Sequence, residues 1–511
     1  MRSNDNRRLY DGLIVLAAVV VSLIYIAAAG GNFPLDDSWI HQTYGRNLAL
    51  LGQWAFIPGV QSAASTSPLY TVVLSAGYKL GIDFHIWTHG LGIVALAIMV
   101  LLGSRLAAQV APDRKVLPLV TGLALVFAWH LIWAAVSGME TMIFCAFTLL
   151  LIWLGWRELQ PHRQTIGAVA LHGVIFGVIA GLATLTRPEG VMLAGIIGLA
   201  LVIVRPNMTW RSLIIFGGAA AICFVIVLIP YLVFNYHVTG GLLPNTAAAK
   251  RAESAPYLAM SYFWRVGNLL TPLAAGGQVL LVPGMIAFAA LLPRVRASIL
   301  HVILLVWPIA LILLYAETLP LEIQHGRYVI PALPAAIIAG VVGTDWLLQR
   351  VRRSMIGRVL VRTLAASTAL LFVAFTFVFG LQAYVQDVTI INQEMVTAAL
   401  WIKNNVPANA TVVTHDIGAL GYFAPQPLLD IGGLITPAAT AYMYDPDAMW
   451  KFIQDHNGMY LMALDTQIPG RNTHDPHLCQ VFDTNGAAAQ RAGSSNMVVY
   501  RLTWDGSCPA N

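Results

Sequence analysis

The chain has 511 residues, of which 58% are hydrophobic and only 10% charged. Soluble globular chains carry about 25% charged residues, so the composition excludes an ordinary cytosolic enzyme, and equally collagen, a coiled coil, disorder and a disulfide-stapled secreted module. Lys and Arg number 29 against 24 Asp and Glu, for a net +5. These cations are spread over short loops between apolar runs and form no patch, so no nucleic acid is expected as a partner.

Runs of roughly 16–24 apolar residues recur, about what a helix needs to cross ~30 Å of hydrocarbon. They lie near residues 10–30, 85–108, 116–136, 141–156, 165–185, 190–204, 212–234, 276–292, 299–316, 329–348 and 363–384, which predicts about eleven spans. The first is too long for the apolar core of a signal peptide, and the GNFPLDD after it offers no A-x-A cleavage site, so it reads as a retained span. With the N-terminus inside, the inner segments hold 17 Lys and Arg, in clusters at 2–8, 105–115, 157–163, 205–211, 294–296 and 350–362. The outer segments hold seven: Arg46, Lys79, Arg187, Lys250, Arg251, Arg265 and Arg327. That bias fits the positive-inside rule, and an odd number of spans puts the tail outside. The expected fold class is an α-helical polytopic membrane protein, with a module over 1–384 carrying outer loops 31–84 and 235–275. A small extracytoplasmic α/β domain follows over 385–511.

The outer segments carry nearly all the unusual polar residues. In the first, Pro34 and Asp36 suit a helix start, and Ile40, Tyr44, Leu48 and Leu51 follow at helical spacing. The pattern predicts an amphipathic helix in the membrane interface, anchored by Trp39 and Trp54. Asp37 and His41 share a face of it; the two acids either cap the helix, or one serves as a general base on a sugar hydroxyl. Glu140, in VSGMET, stands where a span begins and suits the helix dipole. In LTRPEG, Glu189 is ordinary helix-start chemistry, whereas Arg187 is a cation at a helix N-terminus. Such a cation needs an anion, either a ligand phosphate or one of Glu189 and Glu140. The loop GGLLPNTAAAKR, punctuated by Gly240, Gly241 and Pro244, sets Lys250 and Arg251 on the outer face. There they meet either anionic headgroups or the phosphate of a lipid-linked substrate. His325 and Arg327 precede the tenth span, and Arg327 either holds a phosphate in bidentate fashion or snorkels from the helix end.

In the tail, residues 393–406 fit an amphipathic helix, and ATVVTHDIGALGYF reads as a strand followed by a glycine-rich turn. PLLDIGG, MYLMALD, CQVFDT and NMVVYRLTW read as further short strands, hence the α/β domain. Asp416 and Asp430 end strands beside glycines, a place for binding residues and for turns alike. Cys145 and Cys223 lie within spans, while Cys479 and Cys508 share the outer tail, where a disulfide between them persists if it forms. The 13 His are scattered, and His474, Asp475 and His477 give only a weak metal signal, so no metal site is expected. Neither a Walker loop nor a G-x-G-x-x-G is found, which leaves nucleotide use unsupported.

Six motifs occur in order: LDDSWIHQTYGRNLA, SGMET, TRPEG, GGLLPNTAAAK, HGRYVIPALP and, in the tail, HDIGALGYF with LLDIGGL. Along essentially its whole length the chain resembles the GT-C superfamily of integral-membrane glycosyltransferases, nearest the branch of mycobacterial terminal arabinofuranosyltransferases. The resemblance implies transfer of a sugar, arabinofuranose or another pentose or hexose, from a polyprenyl-phosphate carrier. The acceptor is an extracytoplasmic glycan, lipid or protein, and the enzyme sits in the cytoplasmic membrane. The resemblance further implies that Asp36 and Asp37 are the paired acids of the first outer loop, with Asp36 first as catalytic residue. Arg187, Lys250 and Arg327 match positions that hold the donor phosphate, and His41, Glu140, Glu189, Asn245, His325 and Asp416 fall in matching motifs as substrate-binding candidates. No cofactor is implied, although two adjacent acids leave a divalent cation open. The rivals are a membrane transporter and a non-catalytic binder of lipid-linked sugar. A transporter predicts charges near the bilayer midplane and matching halves, whereas here the charges cluster at the outer ends of the spans and no internal repeat is found.

Overall fold

The computed structural model describes residues 2–160, 165–204, 209–242, 245–294, 299–351, 354–506 and 508. Pro244 and the loop cations Arg163, Arg205, Arg296, Arg352 and Arg353 lie outside them. The first part of the chain forms α1 (Arg2–Ala28), α2 (Asp36–Leu51), β1 (Ala55–Ile57), β2 (Val60–Gln61), α3 (Pro68–Lys79), α4 (Phe84–Val110), α5 (Leu117–Val126), α6 (Trp129–Val136), α7 (Thr141–Glu158), α8 (Ile166–Thr186), α9 (Gly190–Val204), α10 (Trp210–Thr239) and α11 (Asn245–Glu253).

Among the described residues eight helices are long and apolar enough to cross a membrane: Arg7–Ala28 within α1, α4, α7, α8, α10, Ile299–Thr318, Gln324–Arg350 and Met355–Asn405. Two bent pairs add to them, α5 with α6 and Tyr262–Ala274 with Gly277–Ala290, while α9 is apolar but only 15 residues long. The chain is a multi-pass membrane protein of mainly helical architecture. It divides into two compact units, one of Met1–Ala27, His89–Pro230 and Pro256–Gln382, the other of Ala28–Thr88, Tyr231–Ala255 and Ala383–Asn511.

In the first unit two expected spans are corrected. The apolar stretch 116–136 is broken at Phe127–Ala128, where α5 and α6 bend by 57°. The stretch 276–292 is preceded by a helix, not a loop, and the two meet at 110°. A break inside a membrane exposes carbonyls that must find donors. Each bend is met by at least one side chain remote in sequence. Thr376 Oγ1 donates to the Phe127 carbonyl at 2.7 Å. At the sharper bend Trp129 Nε1 donates to the Ala275 carbonyl at 2.6 Å and Gln278 Nε2 to the Leu273 carbonyl at 2.7 Å, with His130 Nε2 3.0 Å from the Pro272 carbonyl. The helix Met355–Asn405 runs on for 51 residues through two π turns, Phe375–Gly380 and Asn392–Val396. A π turn frees carbonyls in the same way, and Tyr25 Oη donates to that of Thr376 at 2.6 Å.

The second unit gathers α2, α3 and α11 with the tail. Its sheet contains β3 (Thr411–Thr414), β4 (Leu428–Asp430), β5 (Gly458–Ala463), β6 (Leu478–Asp483) and β7 (Val498–Leu502), in the order β4-β3-β5-β7-β6. β3 runs parallel to β4 and β5, and β7 runs antiparallel to β5 and β6. Successive residues of a strand face opposite sides. Val412 accordingly packs against Ala398, Ala399 and Ile402, and Val413 against Trp450 and Ile453 of the helix Pro446–Asp455. β3, buried on both faces, holds His415 and Asp416 just beyond its C-terminal end. Cys479 and Cys508 are joined by a disulfide, with Cα atoms 5.6 Å apart. Trp39 is not the interfacial anchor expected of it: it is buried in a protein core with Phe33, Phe84 and Phe423. α2 buries nine of its 16 residues against the rest of this unit.

Candidate functional site

In the second unit the paired acids form the first turn of α2. The Asp36 carboxylate reaches the helix Gly418–Phe423, where Oδ2 accepts the Gly418 N–H and Oδ1 the Ala419 N–H, each at 2.7 Å. This approach requires glycine at 418. A Cβ there would stand 2.0 Å from the Asp36 backbone oxygen and 2.7 Å from Oδ2.

Asp416 lies two residues before that contact. His415 Nδ1 is 2.9 Å from Asp416 Oδ1, and Gln467 Nε2 donates to Oδ2 at 2.8 Å. The His415 and Asp416 side chains retain 33% and 21% exposure, so the pair borders solvent. Burial pushes the Asp36 carboxyl up to about 7, helped by the negative charges of Asp416 and Asp37 and opposed by the two amide N–H groups. Burial also acts to raise Asp416, but the His415 hydrogen bond and charge, with Gln467, hold it below the usual carboxylate range. His415 is the mirror case: burial lowers it, and Asp416 and Glu253 more than offset that, so the imidazole sits above its ordinary value. A hydrogen-bonded His415–Asp416 pair therefore stands beside a carboxyl raised towards neutrality.

α11 brings in a cation. Lys250 Nζ lies 2.9 Å from Glu253 Oε2, and the charges of both reach His415. Tyr444 Oη fastens the end of α11 by donating to the Ala252 and Glu253 carbonyls at 2.9 and 3.2 Å. Asn245 opens α11, and its side chain lies outside the described residues. His41 is buried and meets Tyr70 edge-to-face at 5.3 Å. Asp430 is fully buried and shapes the turn after β4, accepting N–H bonds from Gly432, Gly433 and Ile435.

The other candidates belong to the first unit. Arg187 is buried between two carboxylates, Nη2 3.2 Å from Glu189 Oε1 and Nη1 3.5 Å from Glu140 Oε1, and Nη2 donates to Tyr315 Oη at 2.6 Å. Burial would lower the guanidinium, but the charges of Glu189 and Glu140 outweigh it and hold Arg187 above its ordinary value. Tyr328 links this cluster to Arg327: its ring lies 5.7 Å from the Arg187 guanidinium, and Arg327 Nη2 donates to its hydroxyl at 3.1 Å. His325, with φ of 58°, packs edge-on against Trp129 and Trp133 at 5.1 and 5.3 Å. A separate apolar groove of about 400 Å³ runs between α8, α9 and α10, lined by Phe176, Phe216, Phe224 and a run of Gly and Ala.

Three residues of the second unit's cluster were not singled out from the sequence: His415, Gly418 and Gln467. The first two lie inside the quoted motif HDIG, next to the selected Asp416, whereas Gln467, 51 residues downstream of it, carries no local signal. Among the described residues no group of three or more His, Cys, Asp or Glu side chains is arranged to hold a metal ion.

A family described as a domain of unknown function, DUF8728, matches residues 384–500. A terminal beta-(1->2)-arabinofuranosyltransferase of Mycobacterium tuberculosis is 28% identical over 284 residues, covering 53% of this chain and 42% of the relative. The match thus spans less than half the length of that curated protein. Among solved structures, ArnT from Cupriavidus metallidurans, bound to undecaprenyl phosphate, superposes with a TM-score of 0.62 at 16% identity over 98% of this chain and 99% of its own. The oligosaccharyltransferase AglB from Archaeoglobus fulgidus, in complex with an inhibitory peptide and a dolichol-phosphate, gives 0.55 at 12% identity over 98% and 75%. The chain shares the fold of these two structures.

Proposed function

We propose that the chain is a glycosyltransferase that moves a sugar from a polyprenyl-phosphate carrier to a hydroxyl of an extracytoplasmic acceptor. The observation that carries this is the Asp36 carboxyl, fixed by two backbone N–H groups and raised towards neutrality beside Asp37, Asp416 and His415. A base works best when its pKa lies near the operating pH. The acceptor oxygen attacks the anomeric carbon, the bond from that carbon to the phosphate oxygen breaks, and its electron pair leaves on the polyprenyl phosphate. The acceptor proton passes to Asp36 and then to water. A cation near the departing phosphate stabilises the charge that develops there, and Lys250 is our candidate within this unit. Support for the carrier comes from the fold shared with two proteins whose structures hold polyprenyl phosphates. Arabinofuranose is the preferred sugar on the strength of the mycobacterial relative. The bias of basic residues towards the other loops supports an outer, extracytoplasmic site.

The test is a transfer assay with the full chain in lipid nanodiscs, offered polyprenyl-phosphate sugars and an oligosaccharide acceptor. Release of polyprenyl phosphate coupled to acceptor glycosylation is expected from wild type, with loss of about 10²–10⁴-fold in Asp36→Asn. Binding without turnover of any donor, or full turnover by both Asp36→Asn and Asp37→Asn, would remove the proposal.

A further inference from the structure

The proposed reaction uses none of the polar groups at the end of the first unit where α1 starts. There a cavity of about 570 Å³ is lined by Arg7, Arg8 and Asp11 of α1, Arg105 of α4, and Trp153, Trp156 and Arg157 of α7. Arg105 Nη2 lies 3.7 Å from Asp11 Oδ2, and the Arg157 guanidinium sits over the Trp153 ring at 4.9 Å. The lining therefore sets four guanidinium groups against one carboxylate. α7 separates this cavity from the Arg187 cluster: Glu140 precedes its first turn and Arg157 lies in its last, about 26 Å along the axis.

Two general effects place cations near such a spot. Loops on one side of a membrane protein are basic, and the C-terminal ends of α4 and α7 favour positive charge. Neither accounts for four arginines from three helices converging on one cavity, nor for two tryptophans in its wall. Arginine forks match phosphate oxygens, and tryptophan favours the headgroup level. Basic pockets between spans bind the headgroups of anionic lipids. We infer that this cavity is a binding site for the phosphates of an anionic membrane lipid, and that a headgroup with two phosphates matches its charge best. The lipid acts as a bound structural ligand of the helical unit, not as donor or acceptor.

The experiment is native mass spectrometry of the full chain in detergent, titrated separately with tetraoleoyl cardiolipin, dioleoyl phosphatidylglycerol and inorganic pyrophosphate. One cardiolipin is expected to be retained in preference to phosphatidylglycerol, with pyrophosphate binding much more weakly. Each cation near a membrane surface is worth about a fivefold factor in lipid affinity. Arg8→Gln should therefore lower retention about fivefold, and the Arg105→Gln/Arg157→Gln double variant on the order of twentyfold. Arg358→Gln, a basic residue outside the cavity, should leave it unchanged. Unfolding temperatures measured without added lipid, expected to stay at wild type in these variants, separate loss of the site from loss of the fold. Unchanged cardiolipin retention in folded cavity variants would overturn the inference, as would an equal loss in Arg358→Gln. Pyrophosphate binding as tight as that of cardiolipin would overturn the assignment to a lipid.

Discussion

The raised Asp36 carboxyl makes a pH prediction that separates its role from that of its neighbours. If Asp36 accepts the acceptor proton with a pKa of about 7, kcat/KM climbs about tenfold per pH unit below 7 and levels above it. At pH 6 about a tenth of the molecules carry the ionised base. Burial is the largest cause of the shift, and the charge of Asp416 is next. Gly418 donates to Asp36 at 2.7 Å and lies two residues beyond Asp416, so the two carboxylates are within roughly 10 Å of each other. At an effective dielectric of about 20, a unit charge at that range is worth ~1.7 kcal/mol, a little over one pH unit. Asp416→Asn keeps the shape and removes the charge, so it should move the acid limb down by about one unit. His415→Asn should leave a limb in place if Asp36 is the base, and abolish it if the imidazole is. The assay is initial-rate transfer at subsaturating donor from pH 5 to 8. A flat wild-type profile, or an Asp416→Asn limb that stays put or moves up, would refute the reasoning.

Three further outcomes are expected. Gly418→Ala drives a Cβ into the Asp36 backbone oxygen, 2.0 Å away; it should cost about 1–3 kcal/mol of stability and most of the transfer rate, read by thermal unfolding and turnover. Arg187→Met strands the buried carboxylates of Glu140 and Glu189 and should destabilise the chain by about 3–5 kcal/mol, with recovery when both are also changed to Gln. A variant of normal stability whose donor KM alone rises would instead make Arg187 a phosphate ligand. Cys508→Ser opens a disulfide whose cysteines are 29 residues apart and should lower the stability of the unit by roughly 3–4 kcal/mol, visible as a protein that no longer responds to reductant.

Membrane spans were the most legible part of the chain, since length and apolarity alone specify them. The breaks were not. Nothing near Phe127–Ala128 interrupts the apolar pattern, and although Pro272 and Gly276–Gly277 punctuate the second bend, the donors Thr376 and Trp129 that satisfy the freed carbonyls come from distant positions. The burial of Trp39 is hidden in the sequence for a related reason. A helix rich in aromatic and polar groups looks alike from sequence whether lipid or a protein core covers it, and here the tail covers it. Asp36 and Asp37 stand out as a paired acidic helix start, yet the group that fixes Asp36 lies 382 residues away at Gly418. Arg187 was open between a ligand phosphate and Glu189 or Glu140, and its nearest anions in the structure are those carboxylates. A pairwise choice of that kind depends on burial and distance, which periodicity does not report.

The most direct measurement is a structure of the full chain in nanodiscs with a polyprenyl-phosphonate sugar, a donor analogue whose bond to the anomeric carbon does not break. Density for the sugar is expected beside Asp36, Asp37 and Asp416, with the anomeric carbon facing the Asp36 carboxylate across the space for an acceptor hydroxyl. Density for the analogue elsewhere, with that cluster left to solvent, would contradict the account.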